Sequence, residues 1–257
     1  MTLRMLIVLC FMVVTIGHAY VYSDYDIDGV EDSKDDCPNT PFDLTVDEHG
    51  CAEGSKAKGA WTLLTGTITG IDKNADTLTN FLLYVNYRYK SWDFSASTFN
   101  DVKNTTSQLP NTLYLTTGYR FEPVKNIQMK VSVGTKQSDV QDDYYLSTNL
   151  DYALDEDKNL FLYYGYTVAQ DSSTQKYDNF HTLSFGVGSV LTDYLYSAVS
   201  YDYSSATLRN TDDYKVVSWV NTFALTSKYY FVINYSYGLN TATTDHTISV
   251  QFGVKFD

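Results

Sequence analysis

The sequence predicts an all-β protein: an antiparallel transmembrane β-barrel of about twelve strands, preceded by a small loop-rich calcium-binding module. Three observations carry this expectation. From residue 60 onward apolar and polar side chains alternate with period two, in runs long enough to cross a bilayer at a tilt. The apolar rows of these runs end in Tyr, Phe or Trp, which prefer membrane interfaces. The polar gaps between runs alternate short and long, as the turns and loops of an outer-membrane barrel do. Composition agrees, since 24 Tyr, 4 Pro and 19% charged residues in 257 are unusual for a soluble acidic protein, and much of the negative charge falls in the module and in the gaps, which leaves the strands nearly neutral. A net charge of -13 argues against nucleic acid as a partner.

The first element is a leader, residues 1–19. Arg4 precedes an apolar run over 5–16, and Gly17, His18 and Ala19 offer small residues around a cut before Tyr20. The run is shorter than the ~20 residues of a spanning helix. No later segment offers that length, so a helical membrane protein is excluded. A lipid-anchored reading of Cys10 is the weaker one, since Leu9 stands where a small residue is wanted and the apolar run continues past it.

The second element is an acidic module over 20–55. Carboxylates at loop positions 1, 3, 5, 9 and 12 wrap a hard cation in oxygen ligands, while position 6 must turn sharply and favours Gly. Asp24, Asp26, Asp28, Asp32 and Asp35 fall on those positions, with Gly29 at the sixth and the Val30 carbonyl at the seventh. The expected cofactor is Ca2+. The twelfth ligand is Asp where an EF-hand has Glu, and no helical apolar period flanks the loop.

The run D-x-D-x-D-G-x-x-D-x-x-D-x-C-P, followed by Thr40-Pro41, Val46-Asp47 and Gly50-Cys51, resembles the thrombospondin type 3 repeat in the short form of bacterial envelope proteins. The match covers residues 24–51. The resemblance implies a calcium-stapled, loop-rich module closed by a disulfide, here Cys37 with Cys51. Closing a loop of about fifteen residues would contribute ~3 kcal/mol in the chain-entropy model. Such a bond suits an oxidising compartment. Bacterial relatives often continue into a peptidoglycan-binding domain of the OmpA type; alternating strands follow here instead, so peptidoglycan binding is not implied.

The third element, residues 60–257, is the barrel. Apolar rows run along Phe81, Leu83, Val85, Tyr87 and Tyr89; along Ile127, Met129, Val131 and Val133; and along Leu160, Leu162, Tyr164, Tyr166 and Val168. Two more follow Tyr229, Phe231, Ile233, Tyr235 and Tyr237, then Ile248, Val250, Phe252, Val254 and Phe256. Strands centre near residues 65, 84, 95, 116, 131, 148, 164, 184, 198, 219, 233 and 251. The first and tenth permit either register, and ten or fourteen strands remain open. A soluble β-sandwich is the competitor; its strands usually stop near 5–6 residues, well short of these runs. Short gaps fall at 90–91, 122–124, 155–157, 191–192 and 226–227, and long ones at 72–77, 100–109, 137–142, 170–178, 204–213 and 240–244. In a Gram-negative outer membrane the short turns face the periplasm, and an even strand count puts the module and the C-terminus there too.

Lumen candidates on the polar rows are Arg88, Asp93, Arg120, Lys130, Asp151, Asp202 and Lys255, joined by Lys136 and by tyrosines including Tyr84, Tyr114, Tyr145, Tyr163, Tyr194 and Tyr196. Both signs are mixed, where rings of one sign would select ions. Gly118, Gly134, Gly165, Gly186, Gly188 and Gly253 share that face, either keeping a pore open or seating tyrosine rings. The repeated His181–Ser184 and His246–Ser249 spacings suggest a hydrolase, but residues three apart on a strand point to opposite faces. No enzyme is expected. Loop acids Asp139, Asp142, Asp143, Asp171, Asp178, Asp212 and Asp213 suit divalent cations bridging to lipopolysaccharide, or ordinary solvated loops. The expectation is a passive, narrow, porin-like channel for small hydrophilic solutes. The alternative is a non-conducting structural or adhesive protein whose barrel anchors the module, with a periplasmic partner, and the surface loops.

Overall fold

The computed structural model describes residues 30, 35–37, 46–52, 59–72, 77–101, 112–124, 126–138, 142–155, 157–171, 176–208 and 211–256. The leader, Cys10 and four of the expected calcium ligands, Asp24, Asp26, Asp28 and Asp32, lie outside them. Within them are twelve strands: β1 (Ala60–Ile71), β2 (Leu78–Tyr89), β3 (Trp92–Asp101), β4 (Thr112–Val124), β5 (Ile127–Ser138), β6 (Asp142–Ala153), β7 (Lys158–Val168), β8 (Phe180–Thr192), β9 (Leu195–Ser204), β10 (Tyr214–Ala224), β11 (Tyr229–Gly238) and β12 (His246–Phe256).

Each strand pairs antiparallel with its sequence neighbours, and β1 pairs with β12 from Trp61 against Phe256 to Ile71 against His246. The barrel is therefore closed. Closure satisfies every ladder hydrogen bond without leaving an edge, a condition lipid imposes because it offers backbone groups no partner. Both ends of the barrel lie at the rim that carries the short turns. The tightest turns need left-handed backbone, which Lys90 (φ 52°) and Asn126 (φ 68°) supply.

Alternation along the strands sorts the side chains by face. Phe185, Val187, Val199, Trp219, Ile233 and Val250 all stand on the outer face, each 40–51% exposed. Their neighbours Ser132, Ser147, Ser218, Ser236 and Ser249 stand on the inner face and are buried. A sandwich would bury the first set between two sheets, so the sandwich is excluded. The two ambiguous strands are resolved by their partners. In β1 the Thr65, Thr67 and Thr69 row faces out, opposite Phe252, Val250 and Ile248, while Leu64 and Ile68 face in. In β10, Val217 and Trp219 face out.

Two expected gaps are strand instead. Residues 122–124 extend β4, with a register irregularity between Phe121 and Val124, and 191–192 extend β8 past another between Val190 and Thr192. The polar side chains there lie at the rim, where a strand end meets water and needs no apolar partner.

Part of the module is also defined. Cys37 and Cys51, 14 apart in sequence, form a disulfide with a Cα–Cα distance of 5.1 Å. Val46 and Ala52 form an antiparallel bridge around the turn at 47–50, and Asp36 N–H donates to the His49 carbonyl at 2.8 Å. Gly50 takes φ 70°, a left-handed conformation that favours glycine. Asp47 caps the turn by accepting from the backbone N–H of His49 at 2.9 Å and of Cys51 at 3.1 Å. Those bonds, Cys51 foremost, hold its carboxyl below the ordinary 3.8.

Candidate functional site

The inward rows line a lumen whose charged groups are tied to the wall. Near the short-turn rim, register sets Asp93 between Arg88 on β2 and Gly118 on β4. Arg120, two residues beyond Gly118, grips Asp93 at two points, Nε to Oδ2 at 2.5 Å and Nη2 to Oδ1 at 2.8 Å. Asp93 is 4% exposed, and the two-point contact gives both of its oxygens a partner on the wall. Asn86 Nδ2 approaches Asp93 Oδ1 at 3.4 Å. The Lys130 stem lies over Gly118, with Cδ 3.2 Å from where a Cβ would stand.

Around the same rim, Asp151 accepts from Asn159 Nδ2 at 2.9 and 3.1 Å, and Asn159 Oδ1 accepts from Tyr196 at 3.1 Å. Lys255 Nζ stands 5.9 Å above the Tyr230 ring. Toward the long loops, Asp202 collects the hydroxyls of Ser184, Ser200 and Ser218, and Ser218 shares a 2.9 Å bond with Ser236. Sequence reasoning finds Asp202 but not this serine cradle, because serines gain meaning only once four strands set them side by side.

Asp143 is a correction. It reads as a loop acid, yet it lies in β6, is fully buried and pairs with Lys136 Nζ at 3.1 Å, while Gln170 N–H donates to its other oxygen at 3.1 Å. Asp143 lies directly opposite Lys136 in the β5–β6 hairpin. Its parity with Tyr145, Asn149 and Asp151 is the sequence signal that marks it as inward. Tyr194, an expected lumen residue, falls in the β8–β9 turn and is 59% exposed.

Four inward glycines, Gly134, Gly165, Gly188 and Gly253, lie against tyrosine side chains. Gly134 faces Tyr145 across the β5–β6 ladder, and Gly253 faces Tyr230 across β11–β12; a Cβ at either glycine would collide with the ring. Tyr145 also shares a 2.5 Å hydrogen bond with Thr116. Seated against glycine, these rings stay close to the wall instead of crossing the lumen.

The short-turn mouth is shared with the module. A cavity of about 610 Å³ lies there, lined on the barrel side by Arg88, Lys90, Arg120 and Lys130 and on the module side by Asp35, Asp36, Glu48 and His49. Asp36 Oδ2 lies 3.7 Å from Lys90 Nζ. Of the expected calcium ligands, Val30 and Asp35 are described, and Asp35 Oδ1 accepts the Cys37 N–H at 2.7 Å.

No family model matches this chain, and no curated protein does. Solved structures do. A NanC porin aligns with TM-score 0.58 at 17% identity, over 77% of this chain and 99% of that one. A KdgM porin gives 0.57 at 9% identity, over 77% and 98%. An outer membrane channel from Pseudomonas putida F1 gives 0.54 at 10%, over 77% and 94%. The fold is that of the outer-membrane porins.

On this porin fold the two His-x-x-Ser pairs are split across the wall. His181 and His246 sit on the outer face, with Nδ1 bonded to Tyr164 at 2.7 Å and to Tyr235 at 2.8 Å. Ser184 and Ser249 face the lumen, so neither serine has its histidine as a base.

Proposed function

We propose that this protein is a passive channel for small hydrophilic solutes in the Gram-negative outer membrane, with its short turns and both barrel ends in the periplasm. The observation that carries this reading is the lumen wall: hydroxyl, amide and charged groups face inward on a closed barrel, and the charges are held by neighbours on the wall. A core packed for stability alone would place apolar side chains there. Twelve strands fall between the filled eight-stranded barrels and the open sixteen-stranded porins, which fits a narrow passage.

Solute class follows from the pairing. Arg120 with Asp93 and Lys136 with Asp143 cancel locally, so neutral solutes gain more from this wall than polyions do. A KdgM porin has been solved in complex with oligogalacturonate; a wall for such a polyanion would carry unpaired cations in series. Liposomes containing the purified protein are expected to swell in small neutral sugars, with a rate that falls steeply with sugar size, and planar bilayers to show weakly ion-selective conductance. Absence of both would favour the second reading, a barrel that anchors the module and the loops without conducting. That reading is favoured by one observation, the module lying against the short-turn mouth.

The acidic loop over 24–35 is proposed to hold one Ca2+ through Asp24, Asp26, Asp28, Asp32 and Asp35 with the Val30 carbonyl. It would act as a staple beside the Cys37–Cys51 disulfide. Asp28→Asn is expected to remove the calcium heat seen by titration calorimetry; an unchanged isotherm would refute this ligand set. Lipopolysaccharide around the loops and a periplasmic partner for the module belong to the same reading.

A further inference from the structure

The half of the lumen nearer the long loops carries a charge that its wall does not cancel. Among the described side chains, the inward charged groups of that half are Lys136, Asp143 and Asp202. Asp202 lies two residues inside the long-loop end of β9, and Lys136 the same distance inside that of β5. Lys136 and Asp143 pair at 3.1 Å and neutralise each other. Asp202 forms no ion pair with a described lysine, arginine or histidine; its partners are neutral hydroxyls. At the short-turn end Arg88, Arg120 and Lys130 are intermixed with Asp93 and Asp151, so the uncancelled acid belongs to the long-loop half.

Register builds the surroundings of Asp202. Ser184 stands directly opposite on β8 and donates to Oδ1. Ser200, two residues back on β9, donates to Oδ2 at 3.2 Å, and Ser218 on β10 donates to the same oxygen at 2.6 Å. The buried Ser218 is held in turn by the buried Ser236 at 2.9 Å. Two carboxylate oxygens and three hydroxyl oxygens are thus gathered on one patch of wall. A hydroxyl that gives its proton to a carboxylate still has lone pairs to offer, and hard cations take oxygen ligands. Asp202 is only partly buried, so lumen solvent reaches it. The long-loop entrance has the same sign, with Asp171, Asp178, Asp212 and Asp245 against Lys176 and Lys215 among its described residues.

We propose that Asp202, with Ser184, Ser200 and Ser218, is a weak binding site for small hydrophilic cations on the solute path, and that it makes the channel favour cations over anions. The proposal rests on the channel reading and narrows it, naming the ions that this lumen prefers. One carboxylate among neutral oxygens binds a cation well enough to admit it and loosely enough to release it, which conduction requires.

The test uses the full-length protein. In planar bilayers under a NaCl gradient at low ionic strength, the reversal potential is expected to have the sign of a cation-preferring pore. Asp202→Asn keeps nearly the same shape and removes the charge, and should lower the Na+ to Cl− permeability ratio about threefold. Asp202→Glu should keep that ratio near the native value. A second measurement needs no conduction: in lipid nanodiscs, sodium NMR should show more line broadening with the native protein than with Asp202→Asn, every other acid being common to both. A pore that conducts with one permeability ratio in native and Asp202→Asn protein, or that prefers anions, would overturn the proposal and leave the channel intact. If no form conducts but the excess broadening disappears in Asp202→Asn, the cation site stands and the channel reading falls. Absence of both conductance and any difference in broadening sinks the two together.

Discussion

At the scale of single residues, the lumen is organised by what glycine omits. Tyr230 lies over Gly253 and Tyr145 over Gly134, each ring occupying the space a side chain would need. Gly253→Ala should force the Tyr230 ring away from the wall, and overpacking of this kind costs about 1–3 kcal/mol. Urea unfolding in lipid is expected to show that loss, and the Gly253→Ala, Tyr230→Ser double variant to recover most of it. Equal stability of Gly253→Ala and the native protein would show that the ring does not rest there. The glycines and tyrosines are both legible on the polar rows of the sequence. Their partnership is not, because it depends on which strand lies beside which.

At the scale of the strand, one residue of register decides between the outer face and the lumen. Val250 and Gln251 are adjacent in β12, the first 45% exposed on the outer face and the second turned inward beside Ser249. Arginine at mid-height on a lipid-facing row costs about 2–4 kcal/mol, whereas a polar lumen accepts it. Val250→Arg should therefore weaken equilibrium folding into vesicles by that amount and Gln251→Arg should change it little. Equal effects would mean that the outer face does not meet lipid. Most strands declare their faces in the sequence through period-two rows such as the one from Ile248 to Phe256. β1 does not, because its outward row carries three threonines and its inward row carries Leu64 and Ile68. Threonine suits a strand on either face, so only the neighbours Phe252, Val250 and Ile248 settle which face is out.

At the scale of the whole molecule, the all-β class, a strand count near twelve and the faces of the plainly alternating strands were legible from the amino-acid order, whereas strand order and closure come from the folded barrel. Alternation is a local property of the chain, and a chain of long, even-numbered strands with apolar outer rows has closure as its way to satisfy the edges in lipid. The tertiary structure alone decided which charges meet. Asp93 with Arg120, Lys136 with buried Asp143, Asp202 with three serines, and Asp36 with Lys90 join residues from different strands or from different parts of the chain. Charge pairing depends on distances of a few ångströms, set by shear and closure of the barrel and by where the module comes to rest. Periodicity along one strand carries no record of those distances.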